Sequence, residues 1–208
     1  MKLSRASLVV VLLTASCGGS NAPPSVEQTR TRPPNLTGVP VLFLPVQRAP
    51  VPSTTPTTTA PRFNGVDKLD AELAFWLAEL APGVKWILPP AIDRMLARTP
   101  SLGITPRALE VTVFSRAQVK RIGDPLYGDL RRLAAILDAR LALVPVAAEF
   151  KPVDATQGRI EIALALIDVS FGDVVWFGVL AGDPGAPDSP TLAASAAQRI
   201  AAQFGQER

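Results

Sequence analysis

Few residues in this chain could carry chemistry. Cys17 is the sole thiol, and no histidine occurs in 208 residues. A Ser-His-Asp triad, a Cys-His pair and an imidazole general base are therefore excluded. One cysteine can form neither an internal disulfide nor a zinc site of the usual Cys/His kind. Asp168 and Asp173 flank one turn and come nearest to a carboxylate pair. Glycosidase-type acid–base work needs such a pair at a cleft, with one pKa raised, and a solvated turn provides no desolvation. The run Val169-Ser170-Phe171-Gly172 follows Asp168, so it is not a nucleophile elbow, which needs glycine there. Neither a glycine-rich phosphate loop nor a Ser-x-x-Lys motif occurs. The expectation is a non-catalytic protein with no metal and no cofactor.

The setting of Cys17 is more informative. Residues 1–16 read as a secretory leader: Lys2 and Arg5, then the apolar run Leu8 to Leu13, then small residues. That run falls well short of the ~20 residues that span a bilayer. Thr14-Ala15-Ser16-Cys17 resembles the bacterial lipobox, with Thr14 where Leu is commonest. The resemblance implies that Cys17 is acylated and becomes the first residue of the mature protein. Each buried CH₂ of an acyl chain contributes ~0.8 kcal/mol, and more than one chain makes attachment stable. With Gly18 after the Cys, where Asp could stand, the resemblance implies the outer membrane in a cell with two membranes, with the protein facing the periplasm. The chain holds 21 Lys and Arg against 18 Asp and Glu; loss of Lys2 and Arg5 leaves 19 against 18. A near-neutral surface does not point to nucleic acid as a partner.

The remainder divides into a spacer and one folded body. Residues 17–39 carry Pro23-Pro24 and Pro33-Pro34 without hydrophobic period, and read as a solvated tether. Residues 40–205 read as a single α/β domain interrupted by a Pro/Thr-rich insert at 48–62. Val41 to Val46 is a strand candidate, with Pro45 at an edge or a strand end. Leu69, Leu73, Trp76, Leu77 and Leu80 form one helical stripe over 67–81, stopped by Pro82-Gly83. A short strand at 84–88 and a helix at 90–98 follow, with a short helical piece near 107–109. Residues 110–123 are ambiguous between strand and helical turn. Leu126, Leu130, Leu133 and Leu137 define another helix, and Leu141 to Phe150 a strand. Residues 159–168 and 174–181 read as an antiparallel hairpin, and 191–204 as a closing Ala-rich helix. The order predicts a mixed sheet of about five strands packed with three to four helices. In the hairpin, Asp168 and Gly172 suit the turn, while Val174, Trp176, Gly178 and Leu180 are expected to share one face.

From Gly158-Arg159-Ile160 to Asp173-Val174-Val175-Trp176 the hairpin resembles a family of small envelope domains typified by the TolB amino-terminal domain. The lipoproteins LpoB and CsgG are similar folds. Leu44-Pro45 and Ala139-Arg140-Leu141-Ala142-Leu143-Val144 add to the resemblance. It implies a membrane-anchored envelope lipoprotein that acts as a protein-interaction module for a periplasmic or outer-membrane assembly. The alternative is a CsgG-like secretion channel subunit. The expected partners are a lipid bilayer, through acylated Cys17, and an envelope protein. Between Asp93 and Arg132 eight basic residues face four acidic ones. Within that stretch Arg116, Lys120, Arg121, Arg131 and Arg132 are candidate partner-binding residues. Phe75, off the helical stripe, and Trp86 are candidate exposed anchors.

Overall fold

The computed structural model describes residues 32–47, 65–115, 119–187 and 189–205. Cys17, Arg116 and the insert at 48–62 lie outside the described residues.

Five strands form one sheet in the order β2-β1-β3-β4-β5: β1 (Pro40–Phe43), β2 (Lys85–Ile87), β3 (Leu141–Pro152), β4 (Gly158–Asp168) and β5 (Asp173–Ala181). β1 runs parallel to both β2 and β3, while β3, β4 and β5 form an antiparallel meander. β1 is buried on both faces, which explains its unbroken apolar run. Val41 and Phe43 join the core beneath α1 (Val66–Leu80) and α4 (Thr191–Gly205). Leu42 and Leu44 join the opposite core beneath α2 (Pro89–Arg98) and α3 (Leu126–Leu137). The fold is thus a three-layer α/β domain with a mixed sheet of five strands and four helices.

Helix placement follows the apolar stripes. Leu69, Leu73 and Leu77 of α1 are fully buried, as are Leu130 and Leu133 of α3. α4 packs through Ala193, Ala196, Ala197, Ile200 and Ala201; these small side chains let its backbone approach both the sheet and α1. Phe204, near its end, meets Trp86 of β2 edge-on at 5.9 Å and Trp176 of β5 edge-on at 5.7 Å. One ring therefore connects the two edge strands. Trp86 is half-buried and donates its Nε1–H to the Ala81 carbonyl at 3.0 Å, so it is packed rather than displayed.

Several expectations shift. The packed body begins before residue 40, because Leu36 is 2% exposed and sits in the core. Pro33-Pro34 forbids a ladder there, but it does not forbid packing. The piece near 107–109 is a turn, with Ala108 N–H donating to Thr105 O. Thr112–Ser115 is a 3-10 turn rather than a strand. Of the two positions expected for Pro45 the structure gives the strand end: β1 stops at Phe43, inside the sheet rather than at its edge.

The hairpin holds its expected turn. Asp168 Oδ1 accepts Ser170 N–H at 2.8 Å. Gly172 takes φ +74°, a left-handed conformation that suits glycine, and donates its N–H to Asp168 O. Val174 departs from the expected face. Trp176 pairs with Leu166 and Val174 with Ile167, so Val175 is the extra residue of a bulge. A one-residue insertion turns every side chain on one side of it to the other face. Val174 consequently packs with the α2/α3 core, while Trp176, Gly178 and Leu180 keep to the α1/α4 side. The Trp176 ring lies over Gly178, where an added Cβ would sit 2.4 Å from its Cζ2.

Trp176 is 6% exposed and Phe171, at the turn, 66%. Trp176→Ala is expected to cost about 3–5 kcal/mol, read as a large fall in the unfolding midpoint. Phe171→Ala should change that midpoint little. Equal, small effects in the two variants would contradict this packing.

Candidate functional site

The sheet changes its direction of winding at β1. The crossover to β2 passes on the α1 face and the return to β3 on the α2/α3 face. In open α/β sheets the carboxyl end of such a switch point is where ligands bind. Here that end is filled by the protein's own polar groups.

A slip of register after Leu44 creates the need. Leu44 N–H donates to Leu143 O and Gln47 N–H to Pro145 O, both at 3.0 Å. Pro145 has no N–H to return. Val46 N–H leaves the ladder and donates to Asp70 Oδ1 of α1 at 2.7 Å. Asp70 is only 5% exposed. Its second oxygen receives the Arg107 guanidinium, which also lies 3.4 Å from Asp67 Oδ1. Gln47, equally buried, donates to Pro45 O at 2.7 Å and Pro106 O at 2.9 Å, and its Oε1 accepts Leu109 N–H at 2.9 Å. Two side chains thus tie the end of β1 to α1 and to the 106–109 turn. Among the described residues no buried side-chain polar atom lacks a partner.

Burial pushes the Asp70 carboxyl above its usual range, against the opposing pull of Val46 N–H and Arg107. A raised carboxyl can mark a general acid. In this case both oxygens are already engaged by the protein, so the group acts as a clamp. Sequence reading missed it. The available signal was an Asp directly beside Leu69 and three residues before Leu73, at the margin of the buried stripe.

The hairpin carboxylates are also committed. Asp173 Oδ1 accepts Arg121 Nε–H at 2.7 Å, and that hydrogen bond holds its pKa below the usual carboxylate range. This is the reverse of what a general acid needs. Tyr127 OH donates to Ser170 O at 2.9 Å and Ile122 N–H to Gly172 O at 2.8 Å, strapping the turn to the first turn of α3 and to the segment before it. Of the candidate partner-binding residues, Lys120 and Arg121 come to this turn. Lys120 O accepts Val174 N–H, and Arg121 is paired as above. Arg131 and Arg132 are exposed on α3, where Arg132 pairs with Asp129. Phe75 is 55% exposed on α1.

Two clefts remain. One of about 530 Å³ lies where Asn35, Thr37, Glu79, Gly83 and Gln203 converge, beneath the ends of α1 and α4. The other, about 460 Å³, lies between α2 and α3, lined by Arg94, Met95, Arg98, Ile136 and Leu137. Among the described residues no cluster of His, Cys, Asp and Glu is suited to a metal ion, and no helix is long and apolar enough to cross a membrane.

The chain matches no protein-family model and no curated protein. Among solved structures it is similar to a single-residue variant of the PelC dodecamer from Paraburkholderia phytofirmans, at 15% identity and TM-score 0.44, covering 84% of this chain and 95% of that one. It is similar to the lipoprotein GNA1162 from Neisseria meningitidis at 14% identity and TM-score 0.42, covering 73% and 85% respectively. The LpoB C-terminal domain from Salmonella enterica follows at 14% and 0.36, with 70% and 82% covered. Each is a distant likeness of fold, and none identifies an activity or a partner for this chain.

Asp70→Ala is expected to lower stability by about 1–3 kcal/mol, since Val46 N–H is left buried without an acceptor. Asp70→Asn keeps an acceptor and should cost less. A carboxyl whose pKa is raised on folding contributes stability that is full below its unfolded value and is lost as pH rises through the folded one. Denaturant melts should therefore show wild type gaining on Asp70→Asn as pH falls from neutral toward 4. A pH-independent difference would contradict the raised pKa of this group.

Proposed function

We propose that this protein is a lipid-anchored, non-catalytic module of the bacterial cell envelope that binds a protein partner in a periplasmic or outer-membrane assembly. The observation that carries the reading is the position of the only cysteine, directly after a basic start and a short apolar run. The folded body supports it: the one raised carboxyl found at the switch point is closed off by its own hydrogen bonds. Such a module works through effective concentration. Anchoring at one surface makes the second contact intramolecular, so a modest affinity suffices.

A CsgG-like channel subunit would need paired strands with lipid-facing residues of ~9–11 positions. β4 and β5 have that length, yet Ile160, Ile162, Leu164 and Trp176 are buried against α1 and α4. The interaction-module reading therefore has the better support.

Cys17→Ala is expected to move the protein from the membrane fraction to the soluble one, or to leave an uncleaved precursor, and to abolish labelling by radioactive palmitate. Crosslinking in intact cells should then capture the envelope partner with wild type and much less of it with Cys17→Ala. Membrane attachment and labelling that survive the substitution would overturn the anchor. An anchored protein that crosslinks to no envelope protein would overturn the partner.

A further inference from the structure

The two outer helical layers carry complementary surfaces. On α1, Glu72, Phe75 and Glu79 lie along one outward stripe, with Lys68 a turn further toward the helix start. Phe75 is 55% exposed, and its ring is braced edge-on by Trp76 at 5.2 Å. Trp76 is itself held by a 3.2 Å hydrogen bond from its Nε1–H to Glu72. This is a fixed aromatic knob between two acidic residues.

The opposite layer presents the converse. The α2/α3 cleft is floored by Met95 and Leu137 and edged by Ile136, which is 46% exposed. Arg94 and Arg98, one helical turn apart, flank it, and both are exposed. Among the described residues neither has a carboxylate within salt-bridge distance, nor do Glu72 and Glu79 have a basic partner. At about 460 Å³ the cleft has room for an aromatic side chain.

We propose that the α2/α3 cleft receives Phe75 of a second copy of this chain, with Glu72 and Glu79 of that copy meeting Arg94 and Arg98. Charge complementarity selects the occupant. An apolar knob with acidic neighbours fits an apolar cleft with basic ones, and both occur on the same molecule. The two surfaces lie on opposite faces of the sheet, since α1 covers one core and α2 and α3 the other. Each copy therefore offers a knob to one neighbour and a cleft to another. The contact is heterologous, and it builds a ring if its rotation closes or a filament if it does not. This goes beyond the envelope reading and does not depend on the identity of any other partner.

The test uses the full-length protein in mild detergent, followed by sedimentation velocity over a range of concentrations. Wild type is expected to associate beyond a monomer at low salt and less so at 1 M salt, where exposed charges are screened. Phe75→Asp and Ile136→Asp should each weaken association about tenfold or more. Both side chains are exposed, so unchanged thermal melts will show that folding is intact. The decisive sample is an equimolar mixture of the two variants. Phe75→Asp retains the cleft and Ile136→Asp retains the knob, so the mixture should form a dimer that grows no further. A wild type that stays monomeric at every concentration would overturn the proposal. So would association that either variant leaves unchanged, or a mixture that remains monomeric.

Discussion

Everything at the upper end of the sheet depends on one hydrogen bond, from Val46 N–H to the buried Asp70 carboxylate. Pro145 O accepts Gln47 N–H rather than Val46 N–H, so the β1–β3 register slips after Leu44 and the Val46 backbone donor is left inside the protein without a ladder acceptor. Without an acceptor that donor would have to reach water, and β1 would peel from β3 at its end. Asp70 satisfies it while α1 lies flat on the sheet, and Arg107 balances the charge introduced. Gln47 repeats the logic one residue later with a neutral amide, tying Pro45, Pro106 and Leu109 together. The long connection between α2 and α3 is held in place by these two polar side chains as well as by its apolar contacts.

Most of the architecture was legible because its signals are local. β4 alternates, and its Ile160, Ile162, Leu164 and Leu166 are all fully buried on one side. α1 and α3 display leucines at helical spacing, and proline occupies the first turn of α2. The hairpin turn could be placed because Asp and Gly each do something specific to backbone there. The side of Val174 was not legible, since a bulge belongs to the pairing of two strands and no single strand announces it. The stretch from Thr99 to Gly123 resisted for a related reason. Its turns are held by distant groups, among them Gln47, Asp70 and the Gly172 carbonyl, so no internal period exists to be read.

The candidate residues divide along the same line. Cys17 stands out by being alone and by what precedes it, and no folded context is needed to single it out. Asp70 looks in sequence like any polar residue near a helix start, and only burial distinguishes it. The basic residues between Asp93 and Arg132 look like one patch on paper. Folding puts Arg121 against Asp173, Arg107 against Asp70 and Arg132 against Asp129, while Arg94 and Arg98 meet no carboxylate among the described residues. Local charge counts therefore overstate what remains to meet another molecule.

The central position of β1 has a mechanical meaning. Residues 32–39 lead, through a turn at Thr37-Gly38, into a strand flanked on both sides by parallel neighbours. A pull on the amino-terminal segment directed along β1 loads its ladder bonds in shear. The bonds to β2 and β3 then share the load at once, as stitches do in a seam that is sheared. A chain that entered at an edge strand would unzip bond by bond, whereas this one grips its leading segment from both sides.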